Sequence, residues 1–394
     1  MREERQWRII LEMISAYSLN EPLSRYLKEY YRMHKQMGST DRRQASGFIY
    51  SYFRLCNALA GLENESQVAY ANFLCNRNPF PLLDYCLEKF TPFDPFDILK
   101  TTEEKIELIK TSHPDFALEN LFPYGNLVSD RMDFGKYISS FLEQPLLWIR
   151  ARDSKIEEVL TELSDKQIPH SQPDQGAISL PSRTALDRLD SWNRGSFEVQ
   201  DLASQRSLAK VYPAAGESWW DACSASGGKS LTLFEKENSI QLTVTDVRSS
   251  VLENLKKRFE RAGIHDYELA VCDLSGKDEK LFDNERQFDG IIADVPCSGS
   301  GTWARTPEWL SMFNVDSLEW FRATQKQIVS NCSRYLKPGG TLVYITCSVF
   351  TAENEETVSF IREKLHLESI SEDYLQFSDE KADTMFVAIF RKSH

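Results

Sequence analysis

From Glu217 onward, apolar runs near 218–223, 240–246, 267–272, 288–295 and 340–347 alternate with helical segments, notably 249–262 and 316–336. A short, continuous apolar run is what a strand covered on both faces requires, and strands separated by helices make a largely parallel sheet. The chain is therefore predicted to carry an α/β domain with helices on both faces. The last run, Met385-Phe386-Val387-Ala388-Ile389-Phe390, follows no long crossover helix and reads as an antiparallel edge strand. Ligands of such sheets bind beyond the carboxyl ends of the strands, near the point where strand order reverses. Residues at those ends are where chemistry is expected.

The region upstream reads differently. Trp7, Ile10, Leu11, Ile14 and Tyr17 recur at helical spacing, and Phe48, Ile49, Tyr52, Phe53 and Leu55 give a second helix its buried side. Ser39-Thr40-Asp41 is expected to cap that second helix, and Thr101-Thr102-Glu103-Glu104 to start another through about Lys110. Leu146 to Ala151 reads as a strand, Lys155 to Leu163 as a short helix, and Pro169 to Arg183 as a polar, proline-bearing stretch. The predicted organisation is an all-helical domain over 1–140, a small α+β segment over 141–205, and the α/β domain over 206–394.

No run of about eighteen apolar residues appears, and the charged N-terminus, Met1-Arg2-Glu3-Glu4-Arg5, lacks the apolar stretch of a secretory signal. The cytoplasm is the expected compartment. The eight cysteines form no CxxC pair and no Cys/His group at zinc spacing, so no metal is expected. Cys56, Cys75, Cys86, Cys272 and Cys332 read as small buried hydrophobes. The formal net charge of −13 argues against indiscriminate nucleic-acid binding. Charge is uneven, however: residues 1–54 hold ten Lys/Arg against six Asp/Glu, whereas residues 351–394 hold five against ten. An acidic protein with local basic surfaces can still bind RNA selectively; solvated helix faces give the same composition.

Three segments carry the chemistry. Asp221-Ala222-Cys223-Ser224-Ala225-Ser226-Gly227-Gly228-Lys229 lies between the first strand of the sheet and a helix. Gly227 and Gly228 remove side-chain bulk where backbone approaches a ligand. The segment is neither GxGxxG nor a P-loop. Asp246, Asp273 and Asp294 end the next three strands. A carboxylate at the first can accept two ribose hydroxyls, one at the second can face an adenine amino group, and one at the third can meet an ammonium group or a nucleobase. Any one aspartate alone could simply open a turn; three beside a Gly-Gly loop fit an adenosyl ligand with a cationic amino-acid tail.

The other two segments each deliver a thiol. Cys297 follows one apolar strand in Asp294-Val295-Pro296-Cys297-Ser298-Gly299-Ser300-Gly301-Thr302, and Cys347 ends the next, in Thr346-Cys347-Ser348, with Glu353-Asn354-Glu355-Glu356 just beyond. Nearby strand ends would place both in one cleft. Two thiols beside a methyl-donor site suit transfer to carbon 5 of a pyrimidine. That carbon is a poor nucleophile until a thiolate adds at carbon 6 and makes it enamine-like. An acid such as Asp294 can assist at ring nitrogen 3. A base in structured RNA must first be unstacked.

These segments resemble the RNA cytosine-5 methyltransferases of the Sun (Fmu/RsmB) family. Asp221–Lys229 resembles its DxCAAPGGKT loop, Asp294–Thr302 its D-[AV]-P-C-S-G-x-G-T motif, and Tyr344–Ser348 with Glu353–Glu356 its Y-x-T-C-S…EENE motif. Ser196–Gln205 and Asp383–Lys392 are similar to the segments that open and close its catalytic core. The resemblance covers residues 145–394. It implies an S-adenosylmethionine-dependent methyltransferase with Cys347 as nucleophile and Cys297 as the second cysteine, which assists product release. It places Cys223, Ser224, Ala225, Ser226, Gly227, Gly228, Lys229, Asp246, Asp273 and Asp294 at the cofactor. Asp41–Ala45 followed by Phe48–Arg54 is similar to a helix of the NusB-like RNA-binding domain of the 16S ribosomal RNA branch. The implied partner is therefore 16S ribosomal RNA; separately, a monomer is expected, and neither DNA nor a membrane is an expected partner.

Ser226 stands where the family usually has proline, Ser224 where it usually has alanine, Asp153 where asparagine is common, and Ala304-Arg305-Thr306-Pro307 is one basic residue short of the family's Arg-Arg-His-Pro. Loss of the proline's fixed φ is expected to loosen the loop. The competing readings are a transfer RNA cytosine-5 methyltransferase, a noncatalytic RNA-binding or assembly factor that keeps the fold, and a nicotinamide-dependent oxidoreductase. The absent GxGxxG counts against the last, and the intact cysteine pair against the second.

Overall fold

The computed structural model describes residues 2–174, 176–276, 282 and 285–394. The chain divides into two compact units. One comprises residues 1–126, 133–144 and 303–314; the other comprises 127–132, 145–302 and 315–394.

The first unit is helical, with α-helices at Arg2–Ala16, Leu23–Met33, Ser39–Leu55, Asn64–Cys75, Pro81–Phe90, Thr102–Ser112 and Phe134–Ser140. Trp7, Ile10 and Met13 of the first helix and Tyr17 just beyond it are buried, as are Phe48, Ile49, Phe53 and Leu55 of the third. Thr101 caps its helix as expected, in a reciprocal capping box with Glu104. The expected cap at Ser39-Thr40-Asp41 does not form. Gly38 occupies the cap position and Ser39 already lies in the helix, while Asp41 accepts hydrogen bonds from Arg2 and Gln6 instead. The segment 303–314 joins this unit through Trp303, whose ring meets Phe122 and Phe313, and through Glu308, which accepts the Leu23 N–H at 2.9 Å.

The second unit holds two sheets. Strands β1 (Leu147–Ala151), β2 (Ser171–Asp174), β3 (Ala177–Leu180) and β4 (Phe197–Val199) pair in the order β2-β3-β1-β4, every pair antiparallel. The helix Ile156–Asp165 covers this sheet over a core of Ile149, Val159, Leu163, Ile178 and Phe197. The polar stretch 169–183 thus contains β2 and β3.

The larger sheet is built from β5 (Ser218–Asp221), β6 (Gln241–Asp246), β7 (Glu268–Val271), β8 (Phe288–Asp294), β9 (Leu336–Thr346), β10 (Leu367–Gln376) and β11 (Thr384–Lys392), in the order β10-β11-β9-β8-β5-β6-β7. Strands β5 to β9 pair in parallel, as their apolar runs predict. The chain steps outward from β5 to β7 and then returns to the other side of β5 for β8, so order reverses between β5 and β8. The expected antiparallel strand is β11, but it lies one place in from the edge, between β9 and β10. β10, LESISEDYLQ, escapes the apolar criterion because an edge strand tolerates charge on its open side. Two apolar layers cover the sheet, one around Trp220, Phe288, Tyr344 and Phe386, the other around Trp219, Leu231, Val244 and Phe259. Of the five cysteines read as hydrophobes, Cys86, Cys272 and Cys332 are buried, while Cys56 and Cys75 are half-buried. Among the described residues, no helix is long and apolar enough to cross a membrane.

Candidate active site

The site lies at the carboxyl ends of β5, β6, β8 and β9. Adjacent parallel strands in register carry their ends out side by side: Asp294 of β8 pairs with Ile345 of β9, and Val295 N–H extends the ladder to Ile345 O at 3.1 Å. Cys297 and Cys347 follow these ends at once. Their sulfurs stand 3.3 Å apart, and the Cys347 N–H points to Cys297 Sγ at 3.3 Å. Both are free thiols and half-buried. The hydrogen bond to Cys347, then burial, holds the Cys297 thiol well above the ordinary thiol range.

Lys229, on the first turn of the helix Gly228–Lys236, donates to Asp294 Oδ2 at 2.7 Å. Burial pushes this ammonium toward neutrality, but Asp294, with a further contribution from Cys347, outweighs burial and keeps it charged. A fixed cation thus stands near the thiol pair, with Cys347 among the groups that favour its charge.

The loop after β5 is held from within. Gly227 has φ 83°, and a Cβ there would lie 2.7 Å from the Phe259 ring, so glycine serves both the left-handed turn and the packing of the helix Ser249–Arg261. A Cβ on Gly228 would meet only Gln200, at an ordinary 3.8 Å. Ala225 also lies at positive φ, 46°, and its N–H donates to Asp246 Oδ2 at 3.0 Å. Ser226 is not loose. Arg258 donates to its carbonyl at 3.0 Å and to its hydroxyl at 2.7 Å, and is itself fixed by the fully buried Glu198 at 2.9 Å. A side-chain tether therefore does what a proline ring would do by restricting φ.

The acids differ in state. Asp221 is buried, accepts from Ser230 at 2.6 Å through Oδ2, and has no partner for Oδ1. Burial lifts its carboxyl to about 7. Asp246 is buried and bonded to Arg248 through the backbone N–H, Nε and Nη2. Burial would raise it, but these bonds draw it below the ordinary carboxylate range. Asp273 is exposed and lowered by its bonds from the Ser275 hydroxyl and N–H. Cys223 is pushed far up by burial, which leaves it an inert thiol beside the loop. The unpartnered Asp221 oxygen, with carboxylates ending β6, β7 and β8, fits a ligand that presents ribose hydroxyls, an amino group and an ammonium tail.

The structure therefore gathers Cys297, Cys347, Asp294 and Lys229 into one cluster, with Asp221, Ser224, Ala225, Ser226 and Asp246 bordering it. A separate cavity of about 660 Å³, lined by residues including Trp219, Asp289, Gly339 and Arg391, opens at the other end of the strands and shares none of these residues.

Residues 209–390 match the family described as 16S rRNA methyltransferase RsmB/F. This region, which holds Cys297 and Cys347, is what the chain shares with that family. The ribosomal RNA small subunit methyltransferase B of Shewanella oneidensis is 33% identical over 220 residues, 55% of this chain and 51% of that protein. The protein of the same name from Vibrio cholerae is 26% identical over 260 residues, 63% of this chain and 59% of that protein. Such matches span roughly half the length of these RsmB relatives. Among solved structures, PH0851 superposes with a TM-score of 0.72 at 20% identity, covering 98% of each chain. NSun6 from Pyrococcus horikoshii with SFG superposes with a TM-score of 0.60 at 16% identity, covering 69% of this chain and 97% of that one. At such identities the likeness is one of fold.

Four residues of this site carry no signal as site residues in the sequence: Ser298, Gln325, Ser348 and Glu353. All four form one hydrogen-bonded group beneath the thiols. Only the EENE resemblance pointed toward Glu353, and without a role. Arg248 and Arg258 were also unmarked, because their partners are Asp246 and Ser226, acids and loop residues that local pattern does not pair with them.

Proposed function

We propose that this protein methylates carbon 5 of a cytosine in 16S ribosomal RNA through a covalent adduct at Cys347. The observation that carries this reading is the pair of free thiols 3.3 Å apart at the ends of adjacent strands. A single nucleophile would need one cysteine; a second, protonated one within hydrogen-bond distance suits a reaction that must also undo its own adduct.

S-Adenosylmethionine, when bound, supplies the methyl group. Asp221, the loop 223–229, Asp246, Asp273 and Asp294 hold it. Lys229 and the Cys297 S–H stabilise sulfur charge on Cys347. Cys347 adds to carbon 6 of the cytosine, which makes carbon 5 nucleophilic toward the methyl group. Asp294, fixed by Lys229, faces the base and accepts from ring nitrogen 3 once that nitrogen has taken up a proton, which draws electron density from carbon 6. Transfer leaves S-adenosylhomocysteine; water then takes the proton from carbon 5, the C–H electron pair restores the C5–C6 double bond, and the C6–S bond breaks to return the Cys347 thiolate. Cys297 assists that release. The helical N-terminal region, with its local basic excess, is the NusB-like RNA-binding part. The protein acts as a monomer in the cytoplasm.

Methyl-labelled S-adenosylmethionine, incubated with the protein and separate 16S and transfer RNA pools from cells lacking it, tests the reading. Label in 5-methylcytidine from 16S RNA is expected. The same nucleoside only from transfer RNA moves the target, and label in another nucleoside overturns the chemistry.

A further inference from the structure

Glu353 is completely buried, and no lysine, arginine or histidine pairs with it among the described residues. Its carboxylate is nevertheless fully occupied. Oε1 accepts the Ser298 N–H at 2.8 Å and the Gln325 amide at 2.9 Å. Oε2 accepts the hydroxyls of Ser298 and Ser348. Its backbone carbonyl accepts the Tyr344 hydroxyl at 2.6 Å. A buried carboxylate without a cation is costly, and four donors are the means of keeping one there. Burial still lifts it above the ordinary range.

The donors share one property. Ser298 directly follows Cys297, and Ser348 directly follows Cys347. Gln325 also donates to Pro296 O at 3.0 Å, on the other side of Cys297. One carboxylate thus spans both thiol loops. Further bonds close the same gap: Val349 N–H to Ser300 Oγ at 2.9 Å, and Gly301 N–H to Cys347 O at 2.9 Å. The groups facing the thiols are accounted for: Cys297 meets Cys347 and Glu353, whereas Cys347 meets Cys297 and the Lys229–Asp294 pair.

We propose that Glu353 is the positioning residue of the thiol pair, setting the separation of Cys297 and Cys347 by gripping the serine after each. This rests on the covalent reading above. Glu353 touches neither sulfur through a hydrogen bond, so it acts through the two loops and is not itself a catalytic residue.

The test compares Glu353→Ala with Glu353→Gln in the full chain. Glutamine keeps the Oε1 acceptor and offers an N–H pair to two serine hydroxyls that can reverse and accept. Alanine strands all four donors. Two readouts are taken: turnover on 16S RNA, and the rate at which diamide oxidises the two thiols to a Cys297–Cys347 disulfide, reducing the diazene to its hydrazine, followed by peptide mass. Glu353→Ala is expected to lower kcat about 100-fold, the size of effect an ångström of misplacement produces. The KM for S-adenosylmethionine should stay within about two-fold, because the cofactor loop is held separately. Disulfide closure should slow in parallel, and Glu353→Gln should restore most of both. Wild-type closure and turnover in Glu353→Ala would overturn the proposal, as would a glutamine variant as impaired as alanine. Should the alanine variant not fold, Glu353→Asp, one methylene too short to reach both serines, carries the same expectation of slowed closure. Cys347→Ala run alongside separates the two claims: turnover in that variant refutes the nucleophile, whereas the diamide rates judge Glu353 without RNA or methyl transfer.

Discussion

Replacing Gly301 with alanine adds one carbon at the most crowded point of the thiol loop. That Cβ would sit 2.0 Å from Thr384 O, 2.9 Å from Thr384 C and 3.1 Å from Cys347 O. Ordinary contact begins at 3.4 Å, so loop and strand β11 must separate by about 1.4 Å. Neither neighbour is a flexible side chain; both are backbone, one in a sheet strand and one at Cys347. The same movement stretches the Gly301 N–H bond to Cys347 O, now 2.9 Å. Overpacking of this kind costs about 1–3 kcal/mol and a lost hydrogen bond about 1 kcal/mol, so the expected loss of stability is about 2–4 kcal/mol. Misplacing Cys347 by an ångström should lower kcat about 100-fold. Urea unfolding and single-turnover methylation, measured on one preparation, separate the two effects. Gly47→Ala is the control: a Cβ there meets nothing within 4 Å, and relief of a helical glycine should stabilise by about 0.5–1 kcal/mol. A Gly301→Ala protein with the wild-type unfolding midpoint and wild-type turnover would refute the crowding argument.

Other expectations are shorter to state. Cys347→Ala should abolish turnover while leaving S-adenosylmethionine affinity within about three-fold by calorimetry, since the loss falls on a step after binding. Arg258→Ala should weaken that affinity about ten-fold, because two bonds to Ser226 are lost; Ser226→Ala, which removes one, should weaken it less, and unchanged affinity in both would mean the tether is idle. Asp221 should make stability fall with rising pH. Its folded carboxyl titrates at about 7, well above the unfolded value, so the native state holds the extra proton between about pH 4 and pH 7 and that advantage is gone above 7. Asp221→Asn should flatten this slope in thermal melts across that window, and an unaltered slope would assign it to other groups.

What the sequence discloses follows from where the information is local. The parallel strands β5 to β9 are legible because a strand buried on both faces has to be apolar throughout. The thiols and acids stand out in the sequence because each lies at or just beyond the end of such a run. β10 and β2 are not, since one is a charged edge and the other is exposed along its whole length. Glu353 sits in an acidic stretch that looks like a solvated helix start; it becomes an internal acceptor only when Ser298, 55 residues away, and Gln325, 28 residues away, arrive around it. The Arg258 tether spans 32 residues, and nothing near Ser226 foretells it. Likewise, the packing of Trp303 against Phe122 joins a segment that lies among the strands of the larger sheet in sequence to the helical unit, which composition has no means of showing.

The most direct test of the account uses Cys297→Ala with 16S RNA and S-adenosylmethionine on a denaturing gel. If Cys347 forms the bond and Cys297 assists its release, addition outlasts elimination, and a protein–RNA species should accumulate whose linkage maps to Cys347. No retained species, or a linkage at any other residue, while the wild-type protein makes 5-methylcytidine in the same RNA, would contradict the division of labour between the two thiols.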